Sequence, residues 1–101
     1  MRIIARRTLK LFWEKYPDSM DPLKIWYKKV SLAKWHSFNQ LKSDFGSADI
    51  VGGDRIVFNI KGNNYRLIVK IDFEFQLVFI RFVGNHNEYD IINKKTGASN
   101  I

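Results

Sequence analysis

The chain has 101 residues, 46% of them hydrophobic, no cysteine, and 17 lysines and arginines against 10 acidic residues, for a formal net charge of +7. That is length for one core but not two, with apolar material enough to fill it and no thiol for a disulfide or a cysteine metal site. Two histidines far apart in sequence, His36 and His86, do not suggest a zinc site, and no apolar run approaches the ~20 residues of a membrane span.

Taken in order, Met1-Arg-Ile-Ile-Ala-Arg-Arg7 lacks the apolar core of a signal peptide, so a cytoplasmic protein is expected, and Arg2 to Ala5 reads as a short strand. From Thr8, the residues Leu9, Phe12, Trp13 and Tyr16 recur at the i, i+3, i+4, i+7 spacing of a helix stripe, which Pro17 ends. Asp21-Pro22 supplies a cap and a proline at the first helical position, and Leu23, Trp26, Tyr27 and Val30 form the inner stripe of a second helix. Lys24, Lys28 and Lys29 fall on its outer side. Ser37-Phe-Asn-Gln40 has the form of a capping box for a short third helix closed by Gly46. Val51-Gly-Gly-Asp54 reads as a turn, and neither glycine pattern of a nucleotide loop is present, so no cofactor is expected. Arg55 to Lys61, Tyr65 to Phe73 and Gln76 to Val83 are β-branched and aromatic runs, broken by Gly62-Asn63-Asn64 and by Glu74-Phe75, as in an antiparallel meander. A polar motif, Gly84-Asn-His-Asn-Glu-Tyr-Asp90, follows, and Asn93 to Asn100 reads as a tail expected to fray.

Helices first and strands last predict an α+β domain over residues 1–92, with a polar tail over 93–101. Its sheet holds a C-terminal antiparallel three-stranded meander, with two to three N-terminal helices packed on one face and the other face open. Side chains alternate along a strand. With Glu74-Phe75 as a two-residue turn, Ile71 faces Val78, Val69 faces Ile80 and Leu67 faces Phe82, and these join Tyr65, Ile56, Phe58 and Ile60 on the helix-covered face. The other face takes Asn59, Lys61, Arg66, Lys70, Asp72, Phe79 and Arg81, with either Lys61 or Asn59 across from Arg66. Two arginines with lysines and an aromatic suit a phosphate backbone, and they equally suit a solvated face whose long side chains lie over Ile68 and Phe79. Residues 1–45 carry ten basic against four acidic side chains, a net +6, and residues 46–101 seven against six, a net +1. The excess favours a polyanionic partner, nucleic acid before membrane.

Five segments at consistent spacing resemble the HigB-type toxins of the RelE superfamily over about residues 1 to 92: Phe12-Trp-Glu-Lys-Tyr-Pro17, Pro22-Leu-Lys-Ile-Trp-Tyr27, Arg55-Ile-Val-Phe-Asn-Ile-Lys-Gly-Asn63, Tyr65-Arg-Leu-Ile-Val-Lys70 and Phe79-Ile-Arg-Phe-Val-Gly-Asn-His86 with Glu88-Tyr-Asp90. The resemblance implies a RelE-like fold and a ribosome-dependent endoribonuclease that cuts mRNA. It also implies a partner, a HigA-type antitoxin with a helix-turn-helix domain, that holds the toxin inactive.

Cleavage of RNA without a metal uses the neighbouring 2′-hydroxyl as nucleophile. It needs a base, an acid, and cations around the phosphorane. Arg66 and Arg81 are the expected phosphate-gripping pair, with Lys61 or Lys70 as auxiliary. His86 can act as base or acid, Tyr89 can stack on a base or donate a proton, and Asp90 can orient a neighbour. Arg55, Lys61, Lys70 and Asp90 complete an RNA-binding set. His86 equally suits a turn histidine bonded to backbone, and Tyr89 a core tyrosine. The competing function is a basic RNA- or protein-binding module on the same scaffold that cuts nothing.

Overall fold

The apolar stripes of the first half of the chain are buried against one face of a sheet, where their side chains escape water. The computed structural model describes Met1–Ile101 without a gap. Strand β1 (Arg2–Ile4) leads into α1 (Arg6–Lys15), whose Leu9, Phe12 and Trp13 are buried. Pro17 follows the end of α1 and opens a 3-10 turn, Pro17–Ser19. Helix α2 (Met20–Leu32) buries Leu23, Trp26 and Val30. It begins ahead of the expected Asp21 cap, so Pro22 sits within its first turn, where a missing N–H breaks no intrahelical bond. Helix α3 (Phe38–Asp44) is capped by Ser37, which accepts from the Gln40 N–H at 3.3 Å, while Gln40 Oε1 reaches past Ser37 to the His36 N–H at 2.6 Å.

The sheet has five strands in the order β1-β5-β4-β3-β2, with β2 (Asp49–Gly52), β3 (Arg55–Ile60), β4 (Tyr65–Asp72) and β5 (Leu77–Asn85). The expected meander forms its middle. Part of the stretch read as a turn belongs to β2, which pairs antiparallel with β3, and β1 lies parallel to β5 at the opposite edge. Ile56, Phe58, Leu67, Val69 and Val78 meet Leu9, Leu23, Trp26, Val30 and Leu41 in the main core. The loop between β4 and β5 is longer than two residues, since Asp72 pairs with Leu77, yet the pairs Ile71 with Val78 and Val69 with Ile80 stand as read.

Beyond those pairs the register departs from simple alternation. A β-bulge between Ile68 and Val69 makes Arg81 the extra residue of β5, and Ile68 pairs with Phe82. A one-residue slip moves every later side chain to the other face. Phe82, expected in the helical core, therefore lies on the second face, and Val83 packs into the core instead.

That second face is also not open. Helix α4 (His86–Lys95) and a 3-10 turn, Ala98–Asn100, lie over it, and Tyr89, Ala98 and Ile101 bury Val57 and Ile68 in a second cluster. The stretch from Asn93 onward does not fray: the Ala98 N–H bonds to Asn93 Oδ1 at 2.8 Å, and Ile101 is only 9% exposed. The domain is a sheet with three helices on one side and one helix on the other. No helix is long and apolar enough to cross a membrane.

Candidate active site

Strand β5 passes into α4 without a loop, because Asn85 is both the last strand residue and the helix cap. Asn85 Oδ1 accepts from the Glu88 N–H at 2.8 Å, and Glu88 Oε1 accepts from the Asn85 N–H at 2.9 Å, a complete capping box. His86 and Asn87 are thereby the first two helical residues, and their main-chain N–H groups have no partner within the helix. Gly84, across the ladder from Arg66, is the expected point of a sharp change of direction. Its φ is not positive, and space is what it provides: a Cβ there would lie 2.5 Å from Phe82 Cζ and 3.0 Å from Glu88 Cβ. The first turn of α4 is packed onto β5 at a place where no side chain fits.

A groove of about 550 Å³ opens beside this junction, lined by Tyr16, Asn63, Asn64, Tyr65, Arg66, Asn85, His86 and Asn87. The Arg66 guanidinium lies over the ring of Tyr89, with its central carbon 4.7 Å from the ring centre. Its Nε is buried without a hydrogen-bond partner, and no carboxylate is within ion-pairing distance. His86 is exposed, with Nε2 3.5 Å from Asp90 Oδ2 one helical turn on. On the opposite wall, the Tyr16 ring packs on Phe12 and Tyr65, at 4.8 and 5.7 Å between ring centres, and its hydroxyl accepts from Asn85 Nδ2 at 3.4 Å. Behind that wall, Asp18 receives Lys61 Nζ at 2.7 Å and a short hydrogen bond from the Tyr65 hydroxyl. The Lys61 hydrogen bond, then that of Tyr65, holds the Asp18 carboxyl below its usual range. The Asp18 hydrogen bond, then burial, pushes the Tyr65 hydroxyl up to about 12.

The structure thus brings Arg66 and His86 into one groove, with Tyr89 beneath the first and Asp90 beside the second. Tyr89 is buried in the second cluster, so it is placed as the platform for Arg66. Arg81 does not reach the groove. It stands on the bulge, three residues or about 10 Å of strand from the position opposite Arg66, and its Nε donates to the main-chain oxygen of Ile101 at 2.8 Å. Arg55 and Lys70 face each other at the far end of β3 and β4, where both meet Asp54, at 2.6 and 3.9 Å. Lys61 is at the hairpin, tied to Asp18, and the residue across from Arg66 is Asn59. Tyr16, Asn63, Asn64, Tyr65, Asn85 and Asn87 line the groove without having been singled out as site residues in the sequence. The spacing Asn85-x-x-Glu88 is the signal that marks the helix start and hence the groove's edge.

A family model for HigB_toxin, the RelE-like toxic component of a toxin–antitoxin system, matches residues 19–92. The chain belongs to the HigB toxin family. It is similar to the mRNA interferase toxin HigB of Escherichia coli K12, with 33% identity over 92 residues that cover 89% of this chain and 88% of the relative. The mRNA interferase HigB of Shigella flexneri matches to the same extent, and that of Escherichia coli O6:H1 is 25% identical over 96 residues, 93% of each chain. The span matched to the HigB family runs from the turn before α2 into α4, so it holds both strands of the β3–β4 hairpin, β5 and His86. The α+β architecture is the one a RelE-like toxin implies.

Proposed function

We propose that this HigB-family toxin is an endoribonuclease that cuts mRNA in the groove between the β3–β4 turn and the start of α4. In this reading it acts on message held by the ribosome and is restrained by an antitoxin carrying a helix-turn-helix domain. The observation that carries the reading is Arg66, a guanidinium stacked on Tyr89 and facing a groove with no carboxylate to neutralise it. A cation left without a counter-charge, beside the free N–H groups of a helix N-terminus, suits a phosphate from outside. The names of the relatives supply the substrate class, mRNA.

The cutting step needs no metal ion as proposed. The 2′-oxygen forms a bond to the adjacent phosphorus while the bond to the 5′-oxygen breaks, leaving a 2′,3′-cyclic phosphate and a 5′-hydroxyl. Arg66 holds the non-bridging oxygens, where negative charge grows, and Tyr89 fixes the plane of the guanidinium. His86 takes the 2′-hydroxyl proton while water protonates the leaving 5′-oxygen, or supplies that proton while water takes the one from the 2′-hydroxyl, and Asp90 orients its ring. One arginine serves in the groove where two were expected, and Arg81 acts at most on RNA further along the sheet.

Primer extension on mRNA from cells expressing the chain without antitoxin tests this. New 5′ ends are expected with the wild type, and about a hundredfold fewer with Arg66→Ala or His86→Ala at equal protein level. Intact message under the wild type favours the non-cutting module. A purified message cut equally well with and without ribosomes removes the ribosome from the scheme.

A further inference from the structure

The groove carries three side-chain amides that the cutting chemistry leaves unused. Asparagine is common in hairpin turns because it tolerates positive φ and bonds to nearby backbone. Neither reason accounts for Asn63 and Asn64. The positive φ values of this turn fall on Lys61 (51°) and Gly62 (62°). The turn's own hydrogen bond runs from the Asn64 main-chain N–H to Lys61 O at 3.2 Å, and neither side-chain amide makes one. Both residues are exposed on the groove. Asn87, the second residue of α4, likewise has an unpartnered amide in a helix that asparagine does little to favour. Asn85, by contrast, is spent on the Glu88 N–H and the Tyr16 hydroxyl.

Two separate elements therefore present free amides around a single cation. An amide cannot neutralise a phosphate. It pairs a donor with an acceptor, which is what the edge of a nucleobase offers, and single-stranded RNA exposes those edges once its bases unstack. Tyr16, packed on Phe12 and Tyr65, closes the other side of the same groove. We propose that Asn63, Asn64 and Asn87 read the hydrogen-bonding edge of an unstacked RNA base next to the phosphate held by Arg66, and so set which base stands beside the cut. This inference rests on the ribonuclease reading of the same groove.

Two measurements test it with the full chain. The first maps RNA 5′ ends for the wild type, Asn63→Ala/Asn64→Ala, Asn87→Ala and a control, Asn39→Ala, on the exposed side of α3. The ratio of cuts at the most favoured base to cuts at the least favoured is expected to fall about tenfold in the groove variants and to stay put in the control. A ratio unchanged in both groove variants overturns the inference. The second does not depend on cutting: fluorescence anisotropy with A4, C4, G4 and U4 tetranucleotides. The wild type is expected to rank the four and the groove variants to lose the ranking, whereas equal binding of all four by the wild type overturns base reading. Selective binding by a wild type that makes no RNA ends supports base reading and refutes the ribonuclease assignment.

Discussion

Arg66 combines properties that a solvated surface arginine does not have together: a buried, unpartnered Nε, an aromatic platform, and no carboxylate within ion-pairing distance. Stacking on Tyr89 fixes the plane of the guanidinium, so the fork arrives at a phosphate already oriented. That distinguishes shape from charge in a variant. Arg66→Lys keeps the charge but loses both the planar fork and the stack, and cutting in the mapping assay is expected to fall at least tenfold with little change in melting temperature. Wild-type activity in the lysine variant would mean that the groove needs a point charge only. Counting odd and even positions was enough to put Arg66 on the right face. The same count put Arg81 on that face too, where its Nε reaches Ile101 of the second cluster, but it missed the bulge that turns Phe82 to this face and sets Arg81 one residue further from Arg66, because nothing in the composition of Leu77 to Asn85 marks it.

At the scale of elements, α4 makes the groove and was the element hardest to see. Its apolar contribution to the second cluster is Tyr89 and Ile92, while Ile91 is 57% exposed, so the helix stripe is too thin to stand out against a polar background. The first two helices were legible because Leu9, Phe12 and Trp13, or Leu23, Trp26 and Val30, form wide stripes bounded by a proline or a cap, and the third because Ser37 and Gln40 mark its start. What α4 lacks in stripe it supplies in capping, and its cap does two things at once. Asn85 Oδ1 closes the helix start, and Nδ2 reaches Tyr16 across the groove. Asn85→Ala is expected to cost about 1 kcal/mol of stability through the lost cap, seen in urea unfolding. Asn85→Asp keeps a good cap but replaces the Tyr16 donor with a negative charge beside Arg66. It should unfold like the wild type and yet bind single-stranded RNA at least tenfold more weakly. Loss of stability and binding in parallel across the two variants would deny the cap its second role.

Across the whole molecule, the two halves of the sequence become two sides of one groove. The basic half folds as β1 and α1 to α3, where Arg6 stacks on Trp13 and Tyr27 at 5.2 and 5.7 Å and Lys24 lies 5.5 Å from Trp13, so part of the positive excess is held against rings. The nearly neutral half supplies the hairpin and α4. Beside the Asn85 to Tyr16 bond, a charged link that joins them behind the groove wall is Asp18, from the turn between α1 and α2, bonded to Lys61 and Tyr65 of the hairpin. Its effect on stability has a definite sign. Tyr65 is held in its neutral form, with its hydroxyl pushed up to about 12 from an ordinary value near 10. A group whose value is raised by folding stabilises the fold fully below the ordinary value, and that contribution disappears as pH climbs through the raised one. Wild type and Tyr65→Phe should therefore differ in urea midpoint by a constant amount from neutrality to about pH 10, and the wild type's advantage should vanish by about pH 12. Asp18 acts at the other end of the scale: its value is lowered, so its contribution holds above the usual carboxylate range and is lost only on further acidification. Because Tyr65→Phe removes one titration and leaves every lysine and every other tyrosine in place, subtracting its midpoint from that of the wild type isolates this contact. An advantage that persists undiminished to the alkaline end would show that the Asp18 to Tyr65 bond does not join the two halves in solution.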